Sequence, residues 1–524
     1  MEQRSTNTNF DAIVIGGGHN GLAAAATLAR KGKRVCVLER ASTLGGMMAA
    51  EAVTDGVDAA PTPPRLAHLL YNLNPKVERE LGLRVQAEPL TTVSLSPTSQ
   101  HVQIDGNRAL NMDGSAHAQA TAFSTLHDRL TRYAGLLSRL AVQSPPKLEG
   151  AWSDPDTFSE LLSLGRLGLG IRGMGKREMR EFLRVLLTNV HDLMVDELGD
   201  GPLAGAMSAD AVRGAFSGPK APGTLFSLLY RLGNGGGKVL APVGGMGAVV
   251  QAFEDAATRA GCVIKCEQGV ERVLVENDRV QGVELTNGER LNAKAVLSSL
   301  GPMATIDLAG LAQFDVETVR RSRKMRAKGS VAKLNMVLSA LPVFSGLPTA
   351  LHGARLLLAP SSTYVERAFN PVKYGESSQD PCMELFFPNA KQSDQPQALS
   401  ALVSFVPHTP AGGEWTTETR DRVIQRVVET LEPLAPGIKS LVQQAELLTP
   451  ADIEAETGSP GGHWHHGEMG IDQILNVRPI NGMAHYSCGV AGLYLCGASA
   501  HPGGDITGAP GRNSALQALK DGAL

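Results

Sequence analysis

Three features of the sequence predict an α/β fold in two interleaved domains. Residues 12–15 form a short apolar strand, and glycines, a helical stretch over 22–30 and a second strand over 34–38 follow it. Strand and glycine-turn patterns return over 243–299, and the order strand, glycine loop, helix recurs over 492–519. The fold class predicted is therefore α/β, with a discontinuous Rossmann-type dinucleotide-binding domain and a mixed α+β second domain.

The domain boundaries follow from where the pattern changes. We assign residues 1–75, 241–304 and 470–524 to the dinucleotide-binding domain. Residues 76–240, which are mostly helical in pattern, and residues 305–469 form the second, substrate-binding domain. The chain thus leaves the first domain twice and returns to it each time.

Individual elements are predicted from hydrophobic period and from turn residues. Residues 51–64, rich in Pro and Gly, predict an extended loop. The predicted helices cover 117–140, 157–169, 176–195 and 417–434, with a further helix running from the 244–247 glycine turn to 260. The predicted strands beyond the first unit are 263–265, 270–276, 280–286, 295–299, 331–338, 383–387 and 401–406.

Composition excludes several classes of protein. Of 524 residues, 49 are Lys or Arg and 52 are Asp or Glu, which gives a net charge of -3 and no global field for nucleic acid. The polar N-terminus does not resemble an export signal, and no window approaches the roughly 18–20 apolar residues that span a bilayer. We expect a cytoplasmic protein, with peripheral membrane contact through apolar loops left open.

The six cysteines include no C-x-x-C pair and no spacing typical of a zinc site. We expect reduced thiols and no structural metal. Cys262 and Cys266 lie four positions apart in a predicted strand, on one face, and are interpreted as buried neutral thiols. A dithiol-disulfide enzyme is therefore disfavoured.

Gly16, Gly18 and Gly21 form a G-x-G-x-x-G motif between the first strand and the first helix. Gly16 permits the tight turn, Gly18 lets the backbone approach a pyrophosphate, and Gly21 lets helix and strand pack closely. The positive end of the helix dipole stabilises the diphosphate. Glu39 ends the next strand, eighteen positions beyond Gly21, where its carboxylate can bind ribose hydroxyls and would repel a 2′-phosphate. The motif predicts FAD or NAD and disfavours NADP.

Residues that follow Glu39 favour FAD over NAD. Gly45 and Gly46, followed by Met47, complete an E-R-x(4)-G-G pattern that resembles flavoproteins in which this pair runs beside the diphosphate and ribityl chain. An NAD dehydrogenase has no need of it. Arg40 either contacts the adenine edge or is a solvated surface charge.

The C-terminal segment, from the strand before Gly497 to the helix after Ile506, resembles the second flavin motif of phytoene-desaturase-like proteins. With the His-rich loop at 460–468, the chain is similar to the phytoene-desaturase-related FAD-dependent oxidoreductases. The similarity is to the branch of carotenoid ketolases and pyridine nucleotide-disulfide oxidoreductase domain-containing protein 2. The resemblance implies that Gly497, Gly504, Asp505 and Ile506 lie at the flavin and that the Val270 backbone contacts adenine.

Three residues near the expected flavin are candidates for proton transfer, namely His466, Glu468 and His501. Hydrogen bonding that holds loops in place is the alternative for each of them. His463, His465 and His466 are adjacent on a glycine-rich loop, a spacing that rarely converges on one ion, so no metal is expected.

These observations predict an FAD-dependent oxidoreductase that dehydrogenates or desaturates a small lipophilic, isoprenoid- or carotenoid-like substrate by hydride transfer to flavin. A flavin-binding interaction protein with little turnover, or an amine-oxidase-like or ketolase-like enzyme, remains an alternative. No second G-x-G-x-x-G motif follows a strand, so a diffusible acceptor such as oxygen or a quinone is expected to take the electrons.

Overall fold

The computed structural model of the protein describes residues 9–49, 63–146, 172–391 and 395–524, together with residues 165 and 168. Within these ranges the strands form sheets of seven, eight and three strands. The α/β class with a Rossmann-type domain is confirmed. The predicted loop at 51–64 lies almost entirely outside the described residues, and so does most of the predicted helix at 157–169.

The seven-stranded sheet contains both ends of the chain. Its strands are Asn9–Ile15, Val35–Leu38, Val263–Lys265, Val270–Glu276, Arg279–Leu285, Arg290–Ser298 and Leu493–Leu495. Five of them are parallel, in the spatial order 263–265, 35–38, 9–15, 290–298 and 493–495. The long strand Arg290–Ser298 pairs with the antiparallel hairpin through its first half and with Leu493–Leu495 through its second.

This parallel arrangement positions the site. The carboxyl ends of parallel strands meet at one edge of a sheet, and ligands of open α/β folds bind there. Ile15, Leu38, Ser298 and Leu495 are the last residues of four adjacent strands. The first glycine loop, Glu39 and the C-terminal glycine segment therefore lie next to one another, although hundreds of residues separate them in sequence.

The eight-stranded mixed sheet forms the second layer of the molecule. Its strands, in spatial order, are Val442–Leu448, Val331–Leu338, Gln397–Ser404, Met383–Phe386, Arg355–Leu358, Thr92–Leu95, Val102–Asp105 and Arg108–Leu110. Leu70–Tyr71, Val239–Pro242 and Ala87–Leu90 form a small separate antiparallel sheet, which packs against Phe386 of the eight-stranded sheet. Every residue of Val331–Leu338 is buried, as expected of a central strand that is covered on both faces.

The α-helices connect and cover these sheets. They are His19–Ala29, Pro75–Leu81, Ala120–Ala141, Lys176–Leu187, Val190–Leu198, Pro202–Ala211, Thr224–Leu232, Gly245–Arg259, Pro302–Ala309, Val316–Arg323, Ser362–Phe369, Thr417–Leu431, Ile438–Leu441, Pro450–Thr457 and Ala509–Lys520. One apolar core surrounds the seven-stranded sheet and a second lies under the eight-stranded sheet. The helices between 120 and 232 form a third core together with Val102 and Ala109 of the eight-stranded sheet. The domain boundaries themselves stay a prediction.

The 76–240 segment is mostly helical, as predicted, but it also contains the short strands 87–90, 92–95, 102–105 and 108–110, some of which pair with partners distant in sequence, such as Arg355–Leu358. One prediction within the segment was wrong. The predicted helix 176–195 is two helices, because the extended backbone of Thr188 ends the first and Asn189 caps the second, with its side chain accepting from Asp192 N.

Two predictions for the segment after 240 were also wrong. No strand was predicted before the 244–247 glycine turn, yet Val239–Pro242 precedes it, in the small antiparallel sheet rather than the parallel one. Cys262 and Cys266 flank the strand Val263–Lys265 instead of lying in it, and both are partly buried. Burial raises the pKa of the Cys262 thiol to about 12, which agrees with a neutral thiol.

Candidate active site

The first glycine loop requires glycine at two positions for steric reasons. Gly16 has φ +97°, and a Cβ on it would lie 2.1 Å from Ser299 Oγ. A Cβ on Gly21 would lie 2.1 Å from the carbonyl oxygen of Gly16, so a larger residue would push the first helix away from the strand. Gly18 caps that helix, and its Cβ position meets only Gly45 O, at 4.0 Å. No acidic residue occupies the first turn of His19–Ala29, so the positive end of this helix is open to an anionic ligand.

Glu39 lies at the end of the second strand with its carboxylate held by the backbone. One oxygen accepts from Gly17 N at 2.7 Å and the other from Ala41 N at 2.9 Å. Each carboxylate oxygen can accept a further hydrogen bond, so two acceptor positions remain for ribose hydroxyls. Arg40 is exposed and lines the cavity described below, so both alternatives considered for it stay open. Its guanidinium donates to Glu456 O at 2.7 Å, at the carboxyl end of the helix Pro450–Thr457.

The second glycine pair is joined directly to the first loop. Gly45 N donates to Gly17 O at 3.0 Å, and Gly45 and Gly18 form a parallel bridge. Gly45 has φ +119°, and a Cβ on it would lie 2.8 Å from Val250 Cγ2. The two glycine segments therefore form one continuous backbone wall, and Met47 continues that wall.

The C-terminal segment closes the same site from the other side. A Cβ on Gly497 would lie 2.1 Å from Ser299 O, and one on Gly511 would lie 1.8 Å from Asn20 O. The C-terminal helix thus packs backbone against backbone on the first helix. Gly504 packs against His465, and its carbonyl accepts from Tyr230 Oη at 2.9 Å.

A cavity of about 1090 Å³ lies where these segments meet. Of the thirteen residues expected to bind the cofactor, all except Gly504 line it, namely Gly16, Gly18, Gly21, Glu39, Arg40, Gly45, Gly46, Met47, Val270, Gly497, Asp505 and Ile506. Its size is at the upper end of ligand pockets, both glycine segments contribute to its walls, and a carboxylate and a helix N-terminus face it. This donor and acceptor set fits FAD, whose ribose would lie at Glu39 and whose diphosphate would lie at the glycine loop.

Comparison with known proteins agrees with this geometry. The profile of the flavin containing amine oxidoreductases matches residues 21–511. The chain belongs to this family. The pyridine nucleotide-disulfide oxidoreductase domain-containing protein 2 of Mus musculus is 30% identical to this chain over 548 residues. The match covers 98% of the chain and 94% of the relative.

A further relative and a solved structure are also similar to this chain. The hydroxyneurosporene desaturase of Rubrivivax gelatinosus is 26% identical, covering 94% of the chain and 89% of the relative. The structure of wild-type putrescine oxidase bound to putrescine is 14% identical with a TM-score of 0.55, covering 98% of each chain, and shows the shared fold. The family assignment makes the chain an FAD-dependent oxidoreductase.

The three candidates for proton transfer, His466, Glu468 and His501, lie in three different places. His466 lines the cofactor cavity with φ +53°, and its Nδ1 has no hydrogen-bond partner among the described residues. Burial, with the neighbouring His19 ring, lowers the pKa of His466 to about 3, so the imidazole is neutral at physiological pH. His501 lines neither described cavity, and its Nε2 lies 3.0 Å from Leu140 O.

Glu468 lies in the wall of a second cavity of about 920 Å³. One of its oxygens accepts from Phe216 N at 3.1 Å and lies 3.4 Å from His463 Nε2. Burial alone would raise the pKa of Glu468, but the His463 ring and the Phe216 N–H lower it below its usual value. The catalytic roles of all three residues stay predictions, and His466 alone of the three contacts the cofactor cavity. Among the described residues, no group of three or more His, Cys, Asp or Glu is arranged to hold a metal ion.

Sequence reasoning missed a buried charged cluster behind the cofactor cavity. Arg355 bridges two carboxylates, lying 2.5 Å from Asp210 Oδ1 and 2.6 Å from Glu384 Oε2. Glu384 also lies 2.8 Å from His68 Nε2 and accepts from the hydroxyl of Tyr71. His68 and Tyr71 line the cavity, so the cluster fixes the position of part of its wall.

Two more arginines continue the cluster towards the cofactor. The guanidinium carbon of Arg213 lies 4.0 Å from the ring centroid of Tyr71, and that of Arg231 lies 4.7 Å from it. Arg213 Nη2 also lies 2.7 Å from Asp505 Oδ1, which joins the C-terminal segment to the chain that follows the helix Pro202–Ala211. Members of the cluster come from residues 68 to 505 and no local pattern marks them, so only tertiary structure brings them together.

Proposed function

We propose that this oxidoreductase dehydrogenates or desaturates an apolar, isoprenoid-like substrate. The observation that carries the proposal is the second cavity, which adjoins the first. Gly458 lines both cavities, and Leu300 of the first cavity precedes Gly301 of the second. FAD, when bound, supplies a two-electron acceptor for the hydride.

The walls of the second cavity suit an apolar molecule. Phe216, Pro302, Met303, Met325 and Met469 contribute apolar side chains to it. Methionine and aromatic side chains adapt to flexible apolar ligands. The name of the Rubrivivax relative, a hydroxyneurosporene desaturase, supports the same class of substrate.

Anaerobic flavin reduction tests the proposal. The oxidised holoprotein is mixed with hydroxyneurosporene in detergent micelles or with putrescine, and flavin absorbance is followed. Bleaching by the polyene supports the proposal. Bleaching by putrescine instead would indicate an amine-oxidase-like enzyme, and bleaching by neither would favour an interaction protein.

A variant that fills the cavity links the reaction to its site. Ala304 is exposed at the wall of the second cavity, so Ala304→Trp should slow flavin reduction while leaving FAD bound. Ala312 is exposed near it in sequence but lines neither cavity, and Ala312→Trp is the matched control. Equal rates in the two variants would place the substrate elsewhere.

The proposal includes a diffusible electron acceptor, oxygen or a quinone, and a cytoplasmic location with or without peripheral membrane contact. No helix in the described part of the chain is both long and apolar enough to cross a membrane. Reoxidation rates with air and with a soluble quinone, and fractionation of cells that express the protein, test these points.

A further inference from the structure

A strongly basic segment borders the second cavity. Residues 320–328 contain six cations and no acidic residue, namely Arg320, Arg321, Arg323, Lys324, Arg326 and Lys328. The segment covers the end of the helix Val316–Arg323 and the chain that leads to Val331. Its positive charge is local, because the whole chain carries a net charge of -3.

Only part of this charge faces the cavity. Arg323, Arg326 and Lys328 line it, whereas Arg320, Arg321 and Lys324 do not. Arg326 is paired with Asp472.

The other two lining cations are not neutralised. Arg323 and Lys328 form no ion pair within the described residues, and both are exposed, so they lie where the cavity meets solvent. Lys328 Nζ lies 4.2 Å from the ring centroid of Phe216, a contact that leaves the ammonium free to meet an anion.

The carboxylates of the cavity wall are already engaged. Glu454 lies 2.7 Å from His408 Nε2 and accepts from Gly461 N at 2.7 Å. Glu468 accepts from Phe216 N, and Asp472 is paired with Arg326. These carboxylates are held by other partners and form no ion pair with Arg323 or Lys328 among the described residues, so the two cations remain available to an anion at the mouth, while the walls contain the apolar side chains described above.

We propose that the second cavity binds an amphiphile with one anionic head group, a carboxylate or a phosphate. Arg323 and Lys328 hold the head group at the mouth, and the apolar chain extends along the cavity towards Gly458 and the cofactor cavity. The inference deepens the proposed function by naming the substrate class. It rests on that function for the dehydrogenation of the ligand's apolar chain. A membrane surface would contact Arg320 and Lys324 as readily as Arg323 and Lys328, whereas a ligand in the cavity would meet only the lining cations.

Three probes that share one alkyl chain and differ in head group test the head-group preference. Laurate, dodecanol and dodecylamine are titrated into the holoprotein below their micelle concentrations, with binding followed by calorimetry. Laurate should bind at least threefold more tightly than dodecanol, and dodecylamine should bind most weakly. The preference for laurate should shrink as salt is raised, because the head group lies at a solvent-exposed mouth. Equal affinities for laurate and dodecanol, or no binding of laurate, would overturn the proposal.

Matched variants locate the charge that matters. Lys328→Gln and Arg323→Gln should each lower the affinity for laurate about twofold to fivefold and leave the affinity for dodecanol unchanged. Lys324 is an exposed lysine of the same segment that lies outside the cavity wall, so Lys324→Gln is the control and should have no effect. An equal loss in Lys324→Gln and Lys328→Gln would overturn the proposal. Equal losses of binding to phosphatidylserine vesicles in both variants, without a laurate effect, would show a membrane dock instead.

The binding experiment does not depend on turnover. If the proposed dehydrogenation fails, flavin reduction is absent while selective laurate binding remains. If the head-group proposal fails, the neutral hydroxyneurosporene still bleaches the flavin while the three probes bind alike. Lauryl phosphate, compared with laurate, distinguishes a phosphate from a carboxylate as the preferred head group, and either result supports the proposal.

Discussion

Replacement of Glu39 by alanine should weaken FAD binding at least tenfold. The two carboxylate oxygens accept from Gly17 N and Ala41 N at 2.7 and 2.9 Å, and they keep one acceptor position each for the ribose hydroxyls. Charge-assisted hydrogen bonds contribute about 1.5–3 kcal/mol each. Water satisfies the free hydroxyls in part, so the net loss is at least about 1.4 kcal/mol, which is about tenfold in affinity.

The assay is titration of apoprotein with FAD, followed by flavin fluorescence. Glu39→Gln keeps one acceptor oxygen and should lie between wild type and Glu39→Ala. Glu276→Ala makes the same chemical change on an exposed strand residue outside the cavity and serves as the control. A Kd for Glu39→Ala within twofold of wild type would refute the reasoning, because it would show that the ribose does not bind this carboxylate.

Three further predictions concern packing, pH and electron donors. Gly511→Ala should lower the melting temperature because its Cβ would lie 1.8 Å from Asn20 O, whereas Gly135→Ala, a helical position with nothing within 4 Å, should leave it unchanged or raise it. Burial lowers the pKa of His68 and His501 to about 4, so the unfolded chain binds protons between pH 6.5 and 4 that the folded chain does not. The free energy of unfolding should therefore keep its full value above pH 6.5 and fall as the pH drops towards 4. His501→Gln should reduce this fall when melting temperatures are compared across the pH range. The same pH dependence in this variant and the wild type would contradict the prediction. NADH should not bleach the flavin within seconds in stopped-flow mixing, and rapid bleaching would disprove a single dinucleotide site.

The cofactor half of the site was predictable because each of its parts is local in sequence. A strand, three spaced glycines, a helix and Glu39 occur close together in sequence, and the positive φ of Gly16 and the contact of Gly21 with Gly16 O both arise within this local unit. Gly504 is the exception. It lies within a recognisable motif, but its backbone packs against His465, a contact that no spacing predicts.

The short strands before residue 111 show the opposite case. Thr92–Leu95 is four residues long and pairs with Arg355–Leu358, more than 250 residues away. Short strands gain most of their stability from such partners rather than from local preference, so these strands were not predicted within a segment that is otherwise mostly helical.

The sequence alone determined the fold class, FAD as the cofactor and the membership of a flavoprotein family, because the glycine spacing and the succession of strand, turn and helix along the chain are local properties. Tertiary structure decided which side chains share a cavity. It separated His466, Glu468 and His501, brought together the Arg355 cluster, and placed Arg323 and Lys328 but not Lys324 at the second cavity. The reason is physical: a long side chain can reach a neighbour only where packing of distant segments creates the space, and packing depends on contacts between residues far apart in the chain.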